Sequence, residues 1–231
     1  MLYNRFQYRT MGDRSLLVEV GDEISPDVNR RVRKLFIILT ENPTEGILET
    51  VPAYRSLLII YDPLKLDVAA LQRRIEDLQK KIQRIQIPEP KIMEIPVMYG
   101  SDYGPDLEWV AQYHKMSIEE VIQLHTGTVY QVYMLGFTPG FPYMGELPER
   151  LSTPRRETPR TVIPEGSVAI AQRQTGIYPV VSPGGWHILG RTPLRLFSPT
   201  QSPPTLLEMG DTVRFFSVTE KEFKQWPLWK H

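Results

Sequence analysis

The sequence predicts an α+β protein of two domains, an N-terminal α/β sandwich followed by a C-terminal β-barrel. Three observations carry this expectation. Up to about residue 85, two segments with helical spacing alternate with short β-like runs. Pro88-Glu89-Pro90 then interrupts the chain, and two prolines stiffen a connection that cannot continue a helix. Beyond Val129 every regular run is short, β-rich and punctuated by Gly and Pro, the pattern of a barrel or compact sandwich. The expected domains are residues 1–90 and 91–231.

Arg5 to Thr10 and Ser15 to Val20 read as strands around the turn Met11-Gly12-Asp13-Arg14. Ser25 or Asp27 can cap a helix from about Pro26 to Thr40, with Val28, Val32, Leu35, Phe36 and Leu39 on one face. Pro43 ends it. Ile47 to Val51 and Ser56 to Tyr61 are two more strands, and the continuous Leu57-Leu58-Ile59-Ile60 run suits a central position. Asp67 caps a second helix reaching about Ile85. With a closing strand at Ile92 to Val97, this order suggests a ferredoxin-like sandwich. A helix then covers Pro105 to Lys115, and Ser117 with Glu120 forms a capping box for a helix to His125. Strands are expected at Val129 to Leu135, Ser167 to Gln172, Ile177 to Val181, Trp186 to Arg191 and Thr212 to Val218. Thr219 to Trp229 reads as a short amphipathic helix or docking strap.

Bulk properties exclude several classes. Lys+Arg and Asp+Glu are both 27, so overall charge favours neither nucleic acid nor membrane. No cysteine is present, which removes disulfides, thiolate metal sites and a cysteine nucleophile and fits a reducing compartment. Met1 to Thr10 has no apolar leader, and no run approaches the roughly 18 apolar residues of a membrane span. A soluble, cytoplasmic protein is expected. Phosphate-loop, HExxH, GxSxG and GxGxxG motifs are all absent, and no metal site is expected.

What remains is the stretch from Val129 to Thr192. Twelve of the 21 prolines lie between Pro139 and Pro204, interleaved with glycines and aromatics in rigid turns. Seven arginines between Arg150 and Arg195 face only Glu157 and Glu165; guanidinium forks suit carboxylates and phosphates, and the excess can equally be a solvated basic surface or a docking face for an acidic partner. The candidate binding wall comprises Phe137, Thr138, Gly140, Phe141, Tyr143, Gln172, Thr175, Tyr178, Gly184, Gly185, Trp186 and Thr192, although Phe137, Phe141, Tyr143 and Trp186 could equally be core. Thr138 and the amides of Gly136 and Gly140 could cradle an oxyanion. On the last wall strand His187 and Arg191 share a face, away from Trp186, and could bind a carboxylate or acyl oxygen while His187 moves a proton. His125, closing a helix, is a further catalytic candidate, or a partner of the last helix carbonyls. Gln172 to Gly176 is either part of the wall or an ordinary hairpin.

These residues carry a resemblance. The segment Val132-Tyr133-Met134-Leu135-Gly136-Phe137, Pro139-Gly140-Phe141-Pro142-Tyr143, Thr153-Pro154-Arg155-Arg156, Ile163-Pro164-Glu165-Gly166-Ser167-Val168, Gln174 to Pro179 and Ser182-Pro183-Gly184-Gly185-Trp186 resemble the carboxyltransferase family called allophanate hydrolase subunit 1. The likeness runs from near Met11 to about Phe216. It implies a ferredoxin-like first domain and a cyclophilin-like β-barrel second domain. It also implies 5-oxoprolinase chemistry, the ATP-dependent opening of 5-oxoproline to glutamate. The partners implied are a C-type subunit, which is a homologous barrel protein, and an A-type subunit. ATP would be consumed by the complex, and no ATP site is evident in this chain. Two other roles occur in the family: a regulator that docks on a sensor histidine kinase, and a urea carboxylase or allophanate hydrolase-type subunit.

Overall fold

The computed structural model describes residues 1–226; Trp229, expected in the C-terminal strap, and His231 lie outside the described residues. Contacts divide the chain into two compact units, Met1–Glu89 and Pro90–His231.

The first unit is a four-stranded antiparallel sheet with two helices. Strands β1 (Leu2–Thr10), β2 (Ser15–Gly21), β3 (Ile47–Pro52) and β4 (Ser56–Tyr61) lie in the order β1-β2-β4-β3. Helix α1 (Pro26–Glu41) packs on β2, β3 and β4 and against α2 (Val68–Gln79). Leu57, Ile59 and Tyr61 alternate inward along β4, as a period of two requires, and meet a core that includes Val32, Leu35, Leu71 and Ile75. Each such side chain contributes roughly 1.5–3 kcal/mol on burial. Ser25 Oγ accepts from the Val28 amide and Asp67 Oδ1 from the Ala70 amide, so both helices start on side-chain caps. Ile38 is buried where Phe36 was expected, because the buried face lies further round the helix. The second helix stops at Gln79 and gives way to a single 3-10 turn, Ile82–Arg84.

The expected closing strand at Ile92 to Val97 is not part of this unit. It is β5 (Ile92–Tyr99), which pairs with two barrel strands and leaves the first sheet at four. Its buried residues Ile95 and Val97 belong to the barrel core.

In the second unit, α3 (Leu107–His114) and α4 (Ile118–Thr126) precede the barrel strands. The predicted capping box is complete, with Ser117 and Glu120 exchanging bonds of 2.8 and 3.1 Å. The strands are β6 (Val129–Leu135), β7 (Pro142–Gly145), β8 (Arg160–Ile163), β9 (Ser167–Ala171), β10 (Gln174–Ile177), β11 (Ser182–Gly184), β12 (His187–Arg191) and β13 (Thr212–Ser217). Seven strands close in the order β10-β7-β6-β13-β5-β12-β9, with β13 and β5 parallel. β8 and β11 form a separate two-stranded ribbon. Val168, Ile170, Leu189, Val213 and Phe215 fill the interior together with Val110 of α3 and Val121 of α4. Among the described residues, no helix is long and apolar enough to cross a membrane.

Three strands form where turns were expected: β7, β8 and β11 lie inside the Gly/Pro-rich segments. Conversely, the strand expected at Ile177 to Val181 ends at Ile177. The β9–β10 turn consists only of Gln172 and Arg173, so Gln174 and Thr175 pair with Ala171 and Ile170 and the strand starts three residues early. The strap becomes α5 (Glu220–Gln225), opened by a Thr219–Glu222 capping box.

Candidate functional site

The wall residues separate into four environments, all in the second unit. The first is an aromatic cluster. Phe141, Tyr178 and Trp186 are buried with Ile163, Ala169, Ala171 and Ile188, and Tyr143 packs at its margin. Phe141 is the hub: its ring meets Tyr178 edge-on at 5.1 Å and Trp186 at 5.6 Å. In β9, Ala169 and Ala171 face this cluster while Val168 and Ile170 face the barrel interior, so one strand serves two cores. Gly184 is required here, since a Cβ would lie 2.2 Å from the Tyr178 hydroxyl. Of the two readings of these rings, pocket lining or core, the packing is core for Phe141, Tyr178 and Trp186, with Phe141 and Tyr178 each only 2% exposed. Only Phe137, whose ring meets Phe141 edge-on at 5.9 Å, stands out at 62% exposed.

The turn carrying Phe137 is self-contained. The Gly136 amide donates to the Phe141 carbonyl, the Thr138 amide to Gly136 and the Phe141 amide to Thr138. Gly136 therefore has no amide to offer an oxyanion, which removes one of the three groups of the expected cradle. Gly140 sits at φ +79°, with Phe197 Cβ 3.1 Å from where its own Cβ would be. The Thr138 hydroxyl is buried with no partner.

The second environment centres on Asp106, which precedes α3 and is 4% exposed. Its Oδ1 accepts from Arg156 and Arg160 at 2.8 Å, and its Oδ2 from Arg160 at 2.7 Å and from the Ile188 amide at 2.8 Å. The Asp106 amide donates back to the Ile188 carbonyl at 3.1 Å. Burial opposes this carboxylate, but the Arg160 hydrogen bonds, the Ile188 amide and the two nearby guanidinium charges outweigh it and hold its pKa below the ordinary value. Two of the seven arginines are thus already committed internally. Two more pair with acids at the surface, Arg173 with Glu146 and Arg195 with Glu165.

His187 adjoins this node. It is 3% exposed, its Nε2 donates to the Pro154 carbonyl at 3.0 Å, and its Nδ1 is buried without a partner. Its ring lies flat on Trp109 at 4.4 Å, and Trp109 stacks in turn on Tyr113. Burial lowers the His187 pKa and outweighs the opposing charge of Asp106, so the ring is neutral at pH 7. Arg156 donates its amide to the Gly185 carbonyl, which fixes the loop before β12.

Arg191 does not join His187. Four residues on an extended strand span roughly 13 Å, and each side chain has its own anchor. Arg191 Nε donates to the Glu165 carbonyl at 2.6 Å. It borders the third environment, a cleft of about 640 Å³ lined also by Thr192, Arg195, Phe223, Lys224 and Trp226. Thr192 is a structural member of that wall: its hydroxyl accepts from the Leu194 amide, and its own amide donates to Gly166.

The fourth environment is inside the barrel. His125 is 0% exposed, with Nδ1 2.7 Å from the Tyr99 hydroxyl and Nε2 2.9 Å from Thr175 Oγ1. The Thr175 hydroxyl donates to the Ala169 carbonyl, which assigns the imidazole proton to Nε2 and leaves Nδ1 to accept from Tyr99. Phe215 stacks on the ring at 4.6 Å, and the Tyr130 hydroxyl satisfies the His125 carbonyl. Burial pushes this histidine down to about 3. With both nitrogens bonded and no open side, His125 and Thr175 form a core network apart from the wall. Gln172 is likewise apart: it is an exposed turn residue at φ +52° whose backbone pairs with Thr153.

Sequence reasoning missed Asp106 and Trp109. Asp106 resembles a helix cap in sequence, and its partners lie about 50 and 80 residues away. Trp109 and Tyr113, four residues apart on one short helix, were the available signal for an exposed aromatic pair. Among the described residues, no group of three or more His, Asp or Glu side chains gathers as a metal site.

The candidate site thus lies on a closed barrel whose outer loops are braced into a wall by the aromatic cluster and the Asp106 node. Residues 6–207 match the family described as carboxyltransferase domain, subdomain C and D, and the chain belongs to that family. It is 42% identical over 229 residues to the B subunit of 5-oxoprolinase from Bacillus subtilis, covering 95% of each chain. Among solved structures, it is similar to TTHA0988 with a TM-score of 0.80 and 37% identity, over 94% of this chain and 41% of that one. The urea carboxylase of Kluyveromyces lactis gives a TM-score of 0.77 at 25% identity, over 95% of this chain and 22% of that chain. The present chain thus spans well under half the length of either solved protein.

Proposed function

We propose that this chain is the B-type subunit of an ATP-dependent 5-oxoprolinase, acting with A-type and C-type subunits to convert 5-oxo-L-proline to L-glutamate and inactive alone. The observation that carries the reading is 42% identity to the B subunit of a 5-oxoprolinase across 95% of both chains. We further propose that residues 1–90 and 91–231 are its two domains, of ferredoxin-like and cyclophilin-like type.

Opening an unstrained lactam is an uphill amide cleavage. Phosphoryl transfer from ATP to the lactam oxygen would make the carbonyl carbon electrophilic. Water would then add to that carbon, the C–N bond would break with a proton delivered to nitrogen, and a second water would release phosphate from the acyl phosphate. Two groups of this chain suit supporting roles. Arg191 uses Nε on Glu165 and borders the cleft together with Arg195 and Lys224, so its terminal nitrogens can hold the substrate carboxylate or a phosphorylated intermediate. His187, neutral but buried beside Asp106 and apart from that cleft, supports the wall by holding the Pro154 carbonyl and takes no proton from the substrate.

The decisive experiment co-expresses this chain with its A-type and C-type partners and measures ATP-dependent glutamate release from 5-oxoproline. An intact complex without turnover would remove the reading. Within an active complex, Arg191→Ala is expected to lower kcat/KM by about 10²-fold, the scale of losing a charge-assisted anion contact. Unchanged turnover would take Arg191 out of the site. The second reading, a urea carboxylase or allophanate hydrolase-type subunit, rests on the K. lactis likeness at 25% identity. Urea-dependent turnover in the same complex would favour it, whereas the family's regulatory role would show as suppressed autophosphorylation of a sensor histidine kinase.

A further inference from the structure

The first strand of the N-terminal unit breaks its register. From Leu2 to Gln7, β1 advances five positions while its partner β2 moves only two, from Gly21 to Glu19. β1 is an edge strand, and an irregularity there ends pairing and re-aims side chains, often beside a binding site. Both helices pin the irregular stretch. Arg31 of α1 donates to the Tyr3 carbonyl, and Gln79 of α2 donates to the Asn4 carbonyl at 3.0 Å. A break held at its backbone by two side chains is a built feature rather than a frayed end.

Beside it lies a cleft of about 590 Å³, lined by Arg5, Phe6 and Tyr8 of β1 and by Glu76, Gln79 and Lys80 at the end of α2. Its size suits a small ligand. The Tyr8 hydroxyl is buried and has no partner. Burial, and after it the charge of Glu76, push its pKa up to about 12, so it remains a donor at neutral pH. A second donor is unused nearby. The Arg31 guanidinium lies 4.8 Å from the centre of the Phe6 ring, and its Nε is buried without a partner. Burial lowers the Arg31 pKa with no carboxylate opposing it. Buried donors left unmade are costly, and both of these sit in or against the lining of one cleft. The remaining lining carries two cations, Arg5 and Lys80, and one anion, Glu76. Lys80 also meets Asp77, but at an exposed position where such a pair holds little.

We propose that this cleft binds an acidic α-amino acid, with its two carboxylates toward Arg5 and Lys80, its ammonium toward Glu76 and its aliphatic part against Phe6. The Tyr8 hydroxyl donates to one of the carboxylates. The charges decide the class: two positive and one negative groups in the lining complement two negative and one positive groups in the ligand. A simple anion would face Glu76 unpaired, and an amino acid with one carboxylate would leave one cation without a partner. The class includes L-glutamate, so the cleft becomes a product-sensing site where the function reading above holds. Binding to this chain alone does not depend on that reading.

The test titrates L-glutamate into the purified, isotope-labelled full-length chain, following backbone amide NMR shifts and measuring Kd by calorimetry. Saturable shifts at Phe6, Tyr8 and Gln79 are expected, with Kd of about 1 mM or tighter. Glutarate, which lacks the ammonium, and acetate and inorganic phosphate should each bind at least tenfold more weakly. Tyr8→Phe should weaken L-glutamate about tenfold without lowering the melting temperature, because the hydroxyl has no partner within the protein. Glu76→Gln should erase the preference for L-glutamate over glutarate, and Arg5→Gln should weaken both. No shift at these amides with 10 mM L-glutamate would overturn the proposal. So would equal binding of phosphate or acetate, which would leave a simple anion site, or unchanged affinity in Tyr8→Phe and Glu76→Gln. An earlier melt of Tyr8→Phe would give the hydroxyl a structural partner and overturn it too. None of these results touches the turnover experiment, so the function reading stands or falls separately.

Discussion

Individual residues in this chain are decided by whether their polar atoms find partners. His125 ends a helix immediately before a strand, where a dipole partner and a site residue are indistinguishable in sequence. The barrel decides: Tyr99 and Thr175 reach its two nitrogens from strands 26 residues before and 50 residues after it. The consequence is a sign-definite pH dependence. The folded imidazole titrates at about 3, whereas an unfolded one titrates near 6.5, so between those values the unfolded chain binds the extra proton. Above pH 6.5 the site makes no difference to stability with pH. Below it, stability falls as pH falls, by up to about 1.4 kcal/mol per pH unit, until pH 3. His114 and His187, also lowered by burial, act in the same direction. Denaturant melts between pH 7 and pH 4 should show this loss, and His125→Phe should flatten the curve. The same variant should cost roughly 2–5 kcal/mol at pH 7, because the Tyr99 and Thr175 hydroxyls lose a buried partner. A variant as stable as the parent at both pH values would contradict the network.

At the scale of elements, local signals were legible and distant pairings were not. The caps at Ser25, Asp67 and Ser117 are short-range devices and announce their helices directly. The β8–β11 ribbon announces nothing, because strands of three and four residues among prolines look like turns. Register also depends on the partner strand: Thr175 reads as a turn residue until Ile170 lies across from it. The arginine excess was visible and its use was not, since Asp106 lies about 50 residues upstream of Arg156 and Arg160. That node joins α3, the loop before β8 and β12 into one body. Asp106→Asn keeps the shape and removes the charge, leaving two part-buried guanidinium groups facing a neutral amide. Breaking such a pair costs about 3–5 kcal/mol. The melting temperature of the second unit should fall by more than about 10 °C, and His187, neighbour of the node, should show altered imidazole NMR shifts. Because the Asp106 pKa is held below its unfolded value, its contribution is present above about pH 4 and fades as pH falls further.

At the scale of the molecule, contacts divide the chain between Glu89 and Pro90, and the membership of the strand that follows was not legible in the sequence. Ile92 to Val97 has the composition of a strand for either sheet. Topology assigns it, because β13 offers a parallel partner in register from Thr212↔Ile92 to Ser217↔Val97, and the barrel cannot close without a strand between β13 and β12. The consequence is a limit on where the chain can be cut. A fragment starting at Pro90 keeps β5 and every strand of the barrel, whereas one starting at Gly100 loses β5 and leaves β13 and β12 as open edges. Ile95, Val97 and Tyr99 go with it, three buried side chains of the barrel core. At roughly 1.5–3 kcal/mol each, their loss is comparable to the whole stability of a domain of this size. Residues 90–231 expressed alone should therefore give a cooperative thermal melt and a near-UV circular dichroism signal from the packed Tyr and Trp rings. Residues 100–231 should be insoluble or give no cooperative transition. If the longer fragment failed to fold while residues 1–99 gained a fifth paired strand by hydrogen exchange, β5 would belong to the first unit after all.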